Sequence, residues 1–249
     1  MPVQADWGSC RVAAVSDGLA DLSDRAAAYR PARLCRSHSI CRPSGEAILT
    51  RVDIINLDAD PLRQLAAWLD AARSAGEPMP EAMTIATATA DGIPAARMVI
   101  LRGLQRGLAF FTDLTSDKGT ELAANPQAAA VLHWLRPVHR QVRVAGPVEP
   151  VSEEEANEYW RTRPAATRRN AAASYQSSVI ANQAALQTRV KDMQLRHPAD
   201  TDLPRPQRWG GFRVLPDRVE FWQESPDGLH DRIRYRRASN NWTIERLSP

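Results

Sequence analysis

Short runs of β-forming residues, broken by glycine- and proline-containing turns, constrain what this chain can fold into more than any other feature. Residues 83–90, 96–101 and 108–112 read as successive strands of a meander, with Asp91-Gly92 as the first turn. A short helix is expected over 116–124, stopped by Asn125-Pro126, and two more strands follow at 128–135 and 140–148. The tail adds runs at 211–215, 218–222, 232–236 and 242–247. Strands in this number and this close together imply antiparallel pairing in a barrel or a sandwich. With a few helices between them the class is α+β.

The helices announce themselves by their ends. Asp60-Pro61 pairs an N-cap with proline at the first helical position, and Leu62, Leu65, Ala66, Leu69 and Ala72 then fall on one face of a helix ending near Gly76. Ser152 and Glu155 have the capping-box spacing, so a helix runs through Tyr159 and Trp160 and stops near Pro164. Another is expected over 177–196, carrying Ile180, Ala184, Leu186 and Val190, before the proline-rich loop 198–206. Residues 1–50 sustain neither period and are expected to be a poorly ordered extension outside a folded domain at 51–249.

Composition narrows the functions. Apolar residues are 43% and charged residues 24% of 249, proportions of a globular chain with a sizeable core. No stretch reaches the ~18 consecutive apolar residues of a membrane span, and the N-terminus lacks a secretory pattern, so a soluble, cytoplasmic protein without a membrane partner is expected. Thirty-two basic residues against 29 acidic ones give a net charge of +3, too mild for a dedicated nucleic-acid binder but suited to small anions. Cys10, Cys35 and Cys41 show neither zinc-site nor C-x-x-C spacing, and no metal is expected. There is no G-x-G-x-x-G after a strand, no P-loop, no H-E-x-x-H and no G-x-S-x-G, which counts against the common nicotinamide, nucleotide-hydrolase and zinc-hydrolase readings.

What remains is a set of cations and amides in positions odd for a sheet. Arg97 and Arg102 bracket the apolar run Met98-Val99-Ile100-Leu101, on opposite faces of a regular strand, so that one can face a ligand; both also read as solvated strand-end charges. In 140–144, Gln141 and Arg143 alternate with Arg140 and Val142. Lys118 sits at the start of a short helix, where an ammonium and free amides can cradle a phosphate.

The tail carries a resemblance. Trp209-Gly210-Gly211-Phe212-Arg213-Val214, then Val219-Glu220-Phe221-Trp222-Gln223, then Leu229-His230-Asp231-Arg232, then 242–249, together with the cation pattern upstream, resemble the pyridoxamine 5′-phosphate oxidase family over about residues 55–249. The resemblance implies an antiparallel Greek-key split barrel with peripheral helices, FMN in clefts between the subunits of a homodimer, and a C-terminal dimerisation region. It assigns FMN contacts to Arg97, Met98, Val99, Ile100, Leu101, Arg102, Phe111, Thr112, Lys118, Gln141, Gln176, Ser177, Trp209 and Arg232. Substrate contacts fall to Arg102, Tyr159, Arg163, Thr167 and His230, with His230 and Arg102 as the catalytic pair. The implied activity oxidises pyridoxine or pyridoxamine 5′-phosphate to pyridoxal 5′-phosphate with molecular oxygen, releasing hydrogen peroxide. A related oxidase of another ring, of the phenazine-biosynthesis type, and a non-catalytic holder of FMN or pyridoxal phosphate are the alternatives.

Several positions depart from the family pattern. Arg102 stands where lysine is usual, Thr167 where serine is, and Asp117 where arginine often precedes Lys118; Arg168-Arg169-Asn170 replaces a smoother segment. Gly228 occupies the place of the arginine that clamps the substrate ring, leaving His230 alone of that pair.

Overall fold

The computed structural model describes residues 57–198, 203–239 and 241–249, so the expectation for 1–50 lies outside the described residues. The chain opens with α1 (Pro61–Ser74), where the Asp60 carboxylate accepts from the Leu62 amide at 2.9 Å and Pro61 occupies the first turn. Its buried face, Leu65, Trp68, Leu69 and Ala72, covers one side of the sheet core, with Trp68 edge-on to Phe221 at 5.0 Å between ring centroids.

Strands β1 (Ala82–Ala88) and β2 (Pro94–Ile100) form the expected hairpin, with Gly92 in the left-handed region at φ 83. β3 (Leu108–Asp113) leads into α2 (Asp117–Ala124), after which β4 (Gln127–Trp134) returns to the free side of β1. β5 (Arg140–Pro150) pairs with β4 along most of its length, with β7 (Arg218–Gln223) over its first half, and with β6 (Trp209–Val214) through its last three residues. β6 pairs with β3, and an isolated Gly103–Ala109 bridge joins β3 to the segment that follows β2. The ring β2-β1-β4-β5-β6-β3 is thereby closed, while β7, β8 (Asp231–Ala238) and β9 (Asn241–Leu247) extend it as an antiparallel wing. This is the α+β split barrel expected from the sequence.

β5 can serve three partners because it changes neighbour near Gly146, where a Cβ would run into the Leu215 carbonyl. Strict alternation puts Met83 and Ile85, Leu132, Val142 and Val144, Phe221, and Ile233 and Tyr235 into one shared interior. Their partners on the other parity, including Gln141, Trp222 and Arg232, line the opposite face.

Of the helices between β5 and β6, the first is as expected and the next two are not. α3 (Glu153–Thr162) is capped by Ser152, whose side chain accepts from the Glu155 amide at 3.1 Å. Residues 165–173, to which sequence reasoning assigned no element, form α4 (Ala165–Ala173): Pro164 ends one helix and starts the next, and an alanine-rich segment follows. α5 (Gln183–Arg196) begins later than expected, because Ser177 takes a left-handed φ of 66 and Asn182 supplies the cap to Ala185 at 2.9 Å. α5 buries no residue fully, so Leu186 and Val190 are only half-buried. Trp160, Ala172, Leu203 and Trp209 form a second, smaller apolar cluster beneath α3 and α4. Among the described residues no helix is long and apolar enough to cross a membrane.

Candidate functional site

A cavity of about 270 Å³ opens where the end of β2, the middle of β3, the first turn of α2 and the α3–α4 corner meet. Three cations reach it: Arg102 from just beyond β2, Lys118 from the first turn of α2, and Arg163 from the junction of α3 and α4. No Asp or Glu lines it. Among the described residues neither Arg102 nor Arg163 has a carboxylate partner, and the Arg163 Nη1 is buried without any hydrogen bond. An unpaired buried guanidinium is costly, and an arriving anion is the group that relieves it.

The surroundings of these cations act on their proton affinity. Burial, and secondarily the neighbouring Arg97, lower the Lys118 pKa from its usual value, against the pull of Asp117, Asp113 and Glu121. Burial is also the leading cause that lowers Arg163, with Tyr159 opposing and Arg102 reinforcing the shift. Arg163 lies over the rings of Trp209, at 4.8 Å, and Trp160, at 5.4 Å, while Arg102 lies 5.8 Å from the Tyr159 centroid.

One wall is aromatic. Phe111 stacks on Tyr159 at 4.1 Å and on Trp209 at 5.5 Å, the latter pair only 7° from parallel. The facing wall is polar: Thr112 donates to the Gln176 Oε1 at 2.9 Å, and the Lys118 Nζ reaches the same oxygen at 3.1 Å and Thr112 Oγ1 at 3.2 Å. Met98, Val99 and Ile100 supply a strip of strand along the floor. A flat heteroaromatic with an anionic tail suits these walls: a planar apolar side, amide and hydroxyl groups for its edge, and cations for the tail.

The structure thus brings together Met98, Val99, Ile100, Arg102, Phe111, Thr112, Lys118, Tyr159, Arg163, Gln176 and Trp209. The other expected residues lie elsewhere. Arg97 turns inward to Thr87 and pairs with Glu121 at 3.0 Å, close enough to Lys118 to act on its charge. Leu101 is buried in the barrel core. Ser177 is exposed, its Oγ accepting from the Asp117 amide at 3.2 Å at the head of α2. Thr167 is exposed on α4, one turn before the cavity-lining Ala171.

Gln141, Arg232 and His230 do not line this cavity and form a second group on the β5-β7-β8 face. Gln141 pairs with Trp222 in register and Trp222 with Arg232, so the three make one lateral row. Arg232 is held by Glu220 at 2.9 Å, and His230 packs its ring 4.9 Å from Trp222. Trp222 is the member that sequence reasoning passed over. Its period-2 position between buried Phe221 and Gln223 gave the signal, since the alternating face had to carry the aromatic outward. Gly228 lies at φ 75 with open space where a Cβ would stand, so this position serves a backbone turn.

A split β-barrel with an uncompensated cationic cavity at its seam defines a class of anion-accepting α+β proteins. Family models narrow it. Residues 69–197 match that of pyridoxamine 5′-phosphate oxidase, and residues 209–249 match the C-terminal dimerisation region of pyridoxine 5′-phosphate oxidase. A pyridoxine/pyridoxamine 5′-phosphate oxidase of Ralstonia pickettii (strain 12J) is 48% identical over 200 residues, covering 80% of this chain and 93% of the relative. One from Gluconobacter oxydans (strain 621H) is 43% identical over 202 residues, 81% of this chain and 100% of the relative. Among solved structures, PhzG from Burkholderia lata 383, in complex with tetrahydrophenazine-1-carboxylic acid, superposes with a TM-score of 0.74 at 33% identity, covering 78% of this chain and 95% of that one. The chain belongs to the pyridoxamine 5′-phosphate oxidase family, and its class is that of an oxidase-family enzyme.

Proposed function

We propose that this chain is an FMN-dependent oxidase of pyridoxine and pyridoxamine 5′-phosphate, with residues 51–249 as its functional domain and a homodimer as its working form. The observation that carries the reading is the cavity's charge: Arg102, Lys118 and Arg163 without a carboxylate among its lining residues, one guanidinium nitrogen buried and unpartnered. Two phosphate-bearing rings, cofactor and substrate, are the ligands that such a surplus accommodates.

The residues fit FMN. Lys118 would meet its phosphate, Thr112 and Gln176 would offer hydrogen bonds, and the strip from Met98 to Ile100 would lie along its ring system. The chemistry that FMN supplies when bound is two-electron oxidation of the substrate's 4′ carbon to the aldehyde, with molecular oxygen as final acceptor and hydrogen peroxide as second product. The chain's own part is positioning. Arg102, Tyr159 and Arg163 hold the substrate phosphate, and Phe111 and Trp209 keep the aromatic side dry. His230, with Trp222, Gln141 and Arg232, would close the site from a second copy of the chain, since that row lies off the cavity and largely within the segment matched to a dimerisation region.

One observation favours a second reading, oxidation of a different ring such as a reduced phenazine carboxylate. Gly228 offers no guanidinium to a pyridine ring and leaves open space there. The test is to reconstitute the protein with FMN, supply pyridoxine 5′-phosphate, and follow aldehyde absorbance with peroxide release. Stoichiometric aldehyde and peroxide are expected; inertness toward both phosphorylated vitamers, with turnover of a reduced phenazine carboxylate, would move the assignment to the second reading.

A further inference from the structure

We propose that the turn Ser225-Pro226-Asp227-Gly228 is a device for aiming His230, with Asp227 as its positioning residue. The proposal rests on the reading that His230 faces the substrate. The Ser225 main-chain N–H donates to His230 Nδ1 at 3.2 Å. A main-chain N–H can only donate, so Nδ1 presents its lone pair and the proton of the neutral ring sits on Nε2. The imidazole is thereby held as a single tautomer, with Nε2–H free to donate and the ring packed on Trp222.

What places the Ser225 amide is the turn itself. Gly228 N–H donates to the Ser225 carbonyl at 3.0 Å, closing it. One oxygen of Asp227, Oδ1, accepts from the Ser225 hydroxyl at 2.6 Å and from the Leu229 amide at 3.0 Å, tying the residue before the turn to the residue after it. The Glu224 amide donates to the His139 carbonyl at 3.0 Å, which anchors the entry to the loop on the neighbouring segment. Proline in the second position presets the bend, and glycine in the fourth takes the left-handed φ of 75 that the exit requires. Gly228 is therefore the closing residue of a histidine clamp, a turn that orients the contact two residues on.

Two readouts test it on the FMN-loaded enzyme. Long-range ¹H–¹⁵N spectra of histidine-labelled protein, taken where the ring is neutral, should show His230 with an unprotonated Nδ1 and a protonated Nε2. Asp227→Ala should bring the two nitrogen shifts together as the tautomers mix, and should lower kcat roughly tenfold with KM for pyridoxine 5′-phosphate nearly unchanged. Asp227→Asn, which keeps the accepting oxygen, should restore both, and Ser225→Ala should give a smaller loss of the same kind. A proton on Nδ1 in the native enzyme, or Asp227→Ala with native tautomer and native kcat, overturns the proposal. Failure of the underlying reading looks different: His230→Ala would then turn over at the native rate whatever its neighbours do.

Discussion

Arg163 is the residue at which folding and function pull apart most clearly. Its guanidinium is half-buried, stacks on Trp209, keeps one nitrogen without a partner and has its pKa lowered chiefly by burial. A charge held this way contributes little to the fold, and replacing it by an apolar side chain of similar length is often neutral or stabilising. Its value appears when a phosphate arrives and charge-assisted bonds worth ~1.5–3 kcal/mol form. Arg163→Met should therefore leave the denaturant midpoint of the unliganded protein unchanged or slightly raised, while raising KM for pyridoxine 5′-phosphate roughly ten- to a hundredfold. A variant that loses stability without losing substrate affinity would assign Arg163 to the core instead. Arg97 makes the contrast: its ion pair with Glu121 is formed within the chain, so its charge is already partly answered.

At the scale of elements, the strands and the first helix were legible because their signals are local. Period-2 alternation, the Asp91-Gly92 turn and the Asp60-Pro61 cap each act within a few residues. α4 was missed because Pro164 was read only as a stop, although the same residue can open a helix, and α5 was started early because Ile180 was credited to a face that the Ser177 turn excludes. The contact that ties the segment before α1 to the wing is equally nonlocal: the buried Tyr235 hydroxyl donates to the Asp58 carbonyl at 2.8 Å. Burial, reinforced by Asp58 and Asp60, pushes its pKa up to about 12 from 10.0. A folded-state pKa above the unfolded one gives stability that is complete below pH 10 and is lost as pH rises toward 12. Denaturant melts across that window should show this decline in the native protein and a flatter profile in Tyr235→Phe, which at neutral pH should cost about 1 kcal/mol. Parallel profiles for the two proteins would mean that another group titrates there.

For the whole molecule, the sequence named most of the residues that line the cavity but could not say which of them meet. Tyr159 and Arg163 were legible as companions because they are four apart near one helix end, whereas the row Gln141–Trp222–Arg232 depends on the register of three strands far apart in the chain. That register sorts the residues into two groups, one around the cavity and one on the β5-β7-β8 face. The central claim is that the cavity of one chain and that face of a second chain make each working site. Mixing two impaired variants tests it directly, one carrying Arg163→Ala and the other His230→Ala, unfolded and refolded together with FMN and assayed at pyridoxine 5′-phosphate well below the KM of the Arg163 variant. The account predicts that the mixture regains oxidation of pyridoxine 5′-phosphate, because each mixed dimer holds one site with both residues intact. A mixture as impaired as its parents, with mixed dimers shown to form, would contradict it and place both groups within a single chain.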